Sequence, residues 1–177
     1  MIYLLGVDHK IQHDGPLGPQ PEHTEMFVDA VSNIIEDLSI EVIVEEFNED
    51  AKRLNEVTKG VVEKIAAVKN IRLIYCEPSK EERERNGILT EPQIFKKLGF
   101  DILADLTTEQ RDAVDEKILK QFEIREALWY DTAKDVMGST VLCIIGARHV
   151  PTFGKLLREK GHEYAVISEN WCLENFT

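Results

Sequence analysis

Five short apolar runs most constrain what this chain can become: IYLLG at 2–6, EVIVEEF at 41–47, IRLIYC at 71–76, TVLCIIG at 140–146 and EYAVIS at 163–168. They are too short for helices buried on all sides. The first and fourth do not alternate with polar residues, as expected of strands covered on both faces. Between them lie stretches of helical period. Met26, Phe27, Ala30, Val31, Ile34, Ile35 and Leu38 recur on one side of a predicted helix over 24–38. Leu54, Val57, Val61, Val62, Ile65 and Val68 mark a second, and Pro151 to Lys160 a third, stopped by Gly161. Strands alternating with helices imply an α/β fold with a mostly parallel sheet flanked by helices.

Residues 80–137 break the alternation. They carry charge and helical period but no convincing strand, so they read as a helical insertion. Thr107 followed by Gln110 is a capping box opening a helix with Ala113, Val114, Ile118, Leu119 and Phe122 on one side. EIREALWYDTAKDVM continues as a further helix. At 177 residues the expectation is a single domain spanning 1–177.

A net charge of −12 argues against nucleic acid and anionic membrane surfaces, whose binding needs clustered Lys and Arg. No apolar stretch reaches the roughly 18–20 residues of a membrane span, and the start lacks a signal-peptide pattern. Three cysteines, Cys76, Cys143 and Cys172, have no paired spacing and read as free thiols in a reducing compartment. The expectation is a soluble cytoplasmic protein, with a homodimer left open.

The first and fourth apolar runs end alike. LLGVDH and IIGARH each close a strand with Gly, two further residues and His. A residue without Cβ lets the chain turn sharply and lets other groups approach the backbone. In a parallel sheet the loops leaving the carboxyl ends of the strands share one edge, where ligands bind. His9, Glu45, Glu46, Glu77 and His149 all fall there. If the first and fourth strands are neighbours, the two imidazoles converge with Glu45 beside them. Such a set can hold a divalent metal with open positions for water and substrate. Glu45 and Glu46 point to opposite sheet faces if the strand runs through both, so one of them serves the site. His13 reads as a surface residue, with a ligand role as the alternative. Glu77 either completes the acidic edge or sits as a carboxylate near a helix start. Arg125 would supply a planar double donor to a carboxylate or an oxyanion.

The order GxxH, strand-end Glu, helical Arg, second GxxH, carried by LLGVDH, VIVEEF, REALWYD and IIGARHVPTFGKLL, resembles the TraB/Tiki superfamily, which takes in ChaN-like and erythromycin-esterase-like proteins. The resemblance implies an α/β sheet with a helical section before the second GxxH. It implies that His9, Glu45, Arg125 and His149 hold the functional positions, with Glu45 chosen because it follows VxV. Family members look like metal-dependent proteases, like esterases that use a His-activated water, or like haem binders.

The leading expectation is therefore a hydrolase of amide or ester bonds acting on a small molecule or peptide. A divalent ion (Mn, Co, Zn or Fe) on His9, Glu45 and His149 would activate water, with Arg125 stabilising the oxyanion. In a metal-free version one His is the general base. The alternatives are binding of haem or another small molecule without turnover, with Phe47, Phe153 and Tyr130 available as a platform, and a protein-interaction module.

Overall fold

A computed structural model describes residues 1–103 and 105–171. Cys172 lies outside the described residues. Five strands, β1 (Ile2–Val7), β2 (Val42–Glu45), β3 (Arg72–Tyr75), β4 (Val141–Gly146) and β5 (Tyr164–Trp171), form one all-parallel sheet in the order β3-β2-β4-β1-β5. The α/β fold read from the five apolar runs is thus present. Strand β4 enters between β1 and β2, pairing Leu4 with Cys143 on one side and Val44 with Cys143 on the other. It is buried along its whole length.

The pleat sorts side chains to two cores. Leu5, Ile43, Leu142 and Ile144 face α1 (Pro21–Asp37) and α3 (Val61–Lys69), meeting Phe27, Val31 and Ile65. Leu4, Val44, Cys143 and Ile145 face the other way, against Trp129 and Ala133 of α6 (Thr108–Ala133) and Phe153 and Leu157 of α7 (Val150–Glu159). Side chains of this size stabilise by roughly 1.5–3 kcal/mol each when fully buried. Cys76 and Cys143 are free and buried in this second core.

The strand-poor region is helical as expected. It forms α4 (Lys80–Arg85), α5 (Glu91–Leu98) and α6, with a small core of its own from Ile94, Val114, Ile118 and Phe122. Thr107 caps α6 through Gln110, as the capping box requires. Two expected helices merge there into one of 26 residues. The reverse happens earlier. The single helix expected from Leu54 to Val68 is split into α2 (Glu49–Leu54) and α3, because Glu56 adopts a left-handed backbone (φ 55°) and breaks the run. Leu54 and Val68 are accordingly exposed. Among the described residues, no helix is long and apolar enough to cross a membrane.

Candidate functional site

The carboxyl edge of the sheet and the insertion enclose a cleft of about 520 Å³. Its floor carries His9, Arg125, Gly146 and His149, and one wall is Ile88, Ile94, Ile118 and Phe122. Both GxxH motifs reach this floor by the same device. After β1, Asp8 caps a 3-10 turn, His9–Gln12, by accepting from the Lys10 amide. After β4, a 3-10 turn, Ala147–His149, runs directly into α7. A Cβ on Gly146 would lie 2.6 Å from His9 Nε2, so the missing side chain is what lets His9 lie over the end of β4. A Cβ on Gly6 would stand 2.0 Å from the Glu169 carbonyl oxygen of β5. The two imidazoles come together because β1 and β4 are neighbours, with Val7 opposite Gly146.

The carboxylate between them is Glu46, which corrects the expectation for Glu45. The pleat of β2 continues one residue beyond the strand, with the Glu46 amide donating to the Ile144 carbonyl, and turns Glu46 toward α6 and α7. Its Oε1 lies 3.5 Å from His9 Nε2 and 3.7 Å from His149 Nε2. Glu45 points through the opposite face, where Gln12 Nε2 donates to its Oε1 at 3.1 Å.

Arg125 joins the cluster as expected of a helical Arg reaching the cleft. Its Nη2 donates to Glu46 Oε1 at 2.6 Å and to Glu77 Oε2 at 2.8 Å, and its Nη1 donates to His149 Nε2 at 3.3 Å. Glu77 also accepts from Trp129 Nε1 at 3.0 Å and from Arg83 Nη1 at 3.2 Å, so it is the second anchor of the guanidinium. Burial works against the charged form of Arg125, but Glu77 and Glu46 outweigh it and hold its pKa above the ordinary value. Burial also pushes the Glu46 carboxyl up, against the pull of His9, Arg125 and the Gly146 amide. Because Oε1 accepts from Arg125 and Oε2 from Gly146 N at 2.7 Å, these contacts suit the ionised form.

His149 is almost sealed. Its side chain is 4% exposed and packs between Phe122 and Trp129, with ring centroids 3.8 and 4.6 Å away. Burial, then the charges of Arg125, His9 and Arg148, lower its pKa to about 2, so it is neutral at physiological pH. An arginine can only donate, so Nε2 supplies a lone pair and Nδ1 carries the hydrogen. That hydrogen goes to Glu126 Oε1 at 2.7 Å, which also accepts from Thr152 Oγ1 at 2.5 Å. Burial raises Glu126 to about 8. His9 contrasts with its counterpart, with a side chain 56% exposed to the cleft.

The other candidates lie elsewhere. His13 is buried rather than at the surface, and it is absent from the cleft lining. Phe47 packs on Tyr75, Phe153 on Trp129, and Tyr130 on His162, so they do not assemble the apolar platform expected for haem.

Sequence reading did not single out Gln12, Glu126, Trp129 or Thr152. A signal for Glu126 exists. It falls four residues after Phe122 and three before Trp129, a charged residue in the buried stripe of α6.

His9 Nε2, His149 Nε2 and Glu46 Oε1 face one space. Separations of 3.5 and 3.7 Å are near the edge, about 3.4 Å, of a tetrahedron around a zinc-like ion. Arg125 already presents its charge there, bonded to two of the three atoms. The expected ligand set His9, Glu45 and His149 does not form, since Glu45 is on the other face. Among the described residues no group of three or more His, Cys, Asp or Glu is placed to hold a metal ion. The arrangement does not fit a metal centre.

What it can do is proton transfer beside a fixed cation, with an imidazole open to the cleft and a buried carboxyl group behind it. No family model matches the chain, and neither a curated protein nor a solved structure shows significant similarity to it.

Proposed function

We propose that the chain is a hydrolase of ester or amide bonds in a small molecule or peptide, working without a metal ion. The convergence of two imidazole Nε2 atoms on one buried carboxylate, beside a fixed arginine at the cleft floor, carries this reading. The TraB/Tiki-like order of motifs, with its esterase members that use a His-activated water, supports it from the sequence side. A reducing compartment such as the cytoplasm suits the buried free thiols.

In this reading a substrate lies along the apolar wall with its carbonyl over Arg125. Water between His9 Nε2 and the carbonyl carbon loses a proton to His9 as its oxygen forms the new C–O bond. Glu46 stabilises the imidazolium that results. The carbonyl electrons move onto oxygen, where Arg125 meets the developing charge, and His149 and Glu77 keep the guanidinium in place. On collapse the C–O or C–N bond breaks, and His9 returns its proton to the leaving group.

The test is a screen of the purified chain against 4-nitrophenyl esters, a macrolactone and fluorogenic peptides, with and without a strong chelator. Turnover that survives chelation and falls at least about 100-fold in His9→Ala is expected. Turnover that chelation removes and a divalent ion restores would replace the metal-free route with a metal-assisted one. Absence of cleavage across the panel, with tight binding of haem that requires His9, would favour the binding alternative.

A further inference from the structure

Gln12 is fully buried in a loop beside the sheet edge, where an uncharged amide needs four partners to be satisfied. Its nitrogen donates to Glu45 Oε1 at 3.1 Å and to the Glu46 carbonyl oxygen at 3.3 Å. A backbone carbonyl cannot donate. The opposite orientation of the amide would set two oxygens against each other, whatever the protonation of Glu45. The amide direction is therefore fixed, and Oε1 faces His9 Nδ1 at 2.7 Å. An amide oxygen only accepts, so Nδ1 carries the hydrogen, and in the neutral ring Nε2 is left as the bare nitrogen on the side of Glu46 and the cleft.

We propose that Gln12 is a positioning residue, held by Glu45 and the Glu46 carbonyl, that locks His9 in the Nδ1–H tautomer with its basic nitrogen facing the cleft. The catalytic meaning of this lock rests on the hydrolase reading; the lock itself does not. It also gives Glu45 a role. Glu45 has no exposure and its Oε2 has no hydrogen-bond partner among the described residues, an expensive place for a carboxyl group. It acts at one remove, by orienting the amide that orients the imidazole. The end of β2 thus addresses His9 twice, through the Glu46 carboxylate at Nε2 and through the Glu45–Gln12 pair at Nδ1.

The experiment is two-bond 1H–15N correlation NMR of the histidine side chains in the full chain, at a pH where the imidazoles are neutral, for wild type and Gln12→Leu. Wild-type His9 should show a protonated Nδ1 and a bare Nε2. Gln12→Leu should shift the majority to Nε2–H, the tautomer free imidazoles favour. Any hydrolytic activity should fall on the order of 10–100-fold in Gln12→Leu. A wild-type His9 found as Nε2–H overturns the proposal without any variant, and so does a Gln12→Leu protein with unchanged tautomer. If no ester, lactone or peptide is cleaved while the tautomers behave as stated, the hydrolase reading falls and the lock stands.

Discussion

The two GxxH histidines are the same motif in two environments. His149 is walled in by Phe122 and Trp129 and backed by a carboxylate, Glu126. His9 stands open to the cleft and is backed by an amide, Gln12. A buried imidazole donating to an acid and accepting from an arginine is a fixed part of the scaffold. An exposed one with its lone pair free to meet water is the group that can exchange protons. The lesson is that a repeated strand-end motif guarantees convergence, while the residues behind each ring decide the division of labour.

The contrast breaks most severely at Arg125, which touches only the buried half. Arg125→Ala leaves Glu46 in the interior without its arginine and Glu77 with Arg83 alone, and losing one partner of a buried pair costs about 3–5 kcal/mol. Urea unfolding should show that loss, together with disappearance of activity.

Next comes the pair of histidine truncations. His149→Ala opens a void against two aromatic rings and should cost about 2–4 kcal/mol. His9→Ala should change stability by no more than about 0.5 kcal/mol. Both should lose turnover, so stability separates the two histidines where activity does not. Equal destabilisation would erase the distinction.

Stability against pH sharpens it further. His149, depressed to about 2, binds fewer protons folded than unfolded, so it makes stability rise with pH from about 2 up to its ordinary value of 6.5. Glu126 and Glu45, both raised to about 8 by burial, bind more protons folded. Their contribution is fully present below 4.5 and is lost as pH climbs to about 8. Thermal unfolding midpoints should therefore rise up to about pH 4.5, where His149 acts alone, and decline from there to about 8, where the two carboxyl groups outweigh it. Glu45→Gln should make the decline shallower, and an unchanged slope would show that Glu45 does not titrate there. The smallest effect is at the rim. Arg148→Gln removes a side chain 59% exposed and a 3.4 Å contact to Glu91, and should alter stability by less than about 0.5 kcal/mol.

Strand and helix order was legible because β1 and β4 are buried on both faces and α6 announces its start with Thr107 and Gln110. The convergence of His9 and His149 was legible from two glycines at strand ends. Glu46 was not, because the sequence tells that neighbouring residues face opposite ways without telling which face the insertion covers. With α6 packed on the Val44 side, the carboxylate on that side becomes the site's anion. Gln12 ends a short 3-10 turn that no periodic pattern announces, and the two partners that fix its amide, Glu45 and the Glu46 carbonyl, lie 33 and 34 residues away.

The position of β4 has a consequence for how the protein comes into being. Strand β4 comes fourth along the chain yet lies between β1 and β2, so those two strands are joined into one sheet only when it is in place. Pairings between strands far apart in sequence carry a high loop-closure cost and form late. Before that step no strand joins β1 to β2 to bring His9 and Glu46 together, so the candidate site forms no earlier than the centre of the sheet.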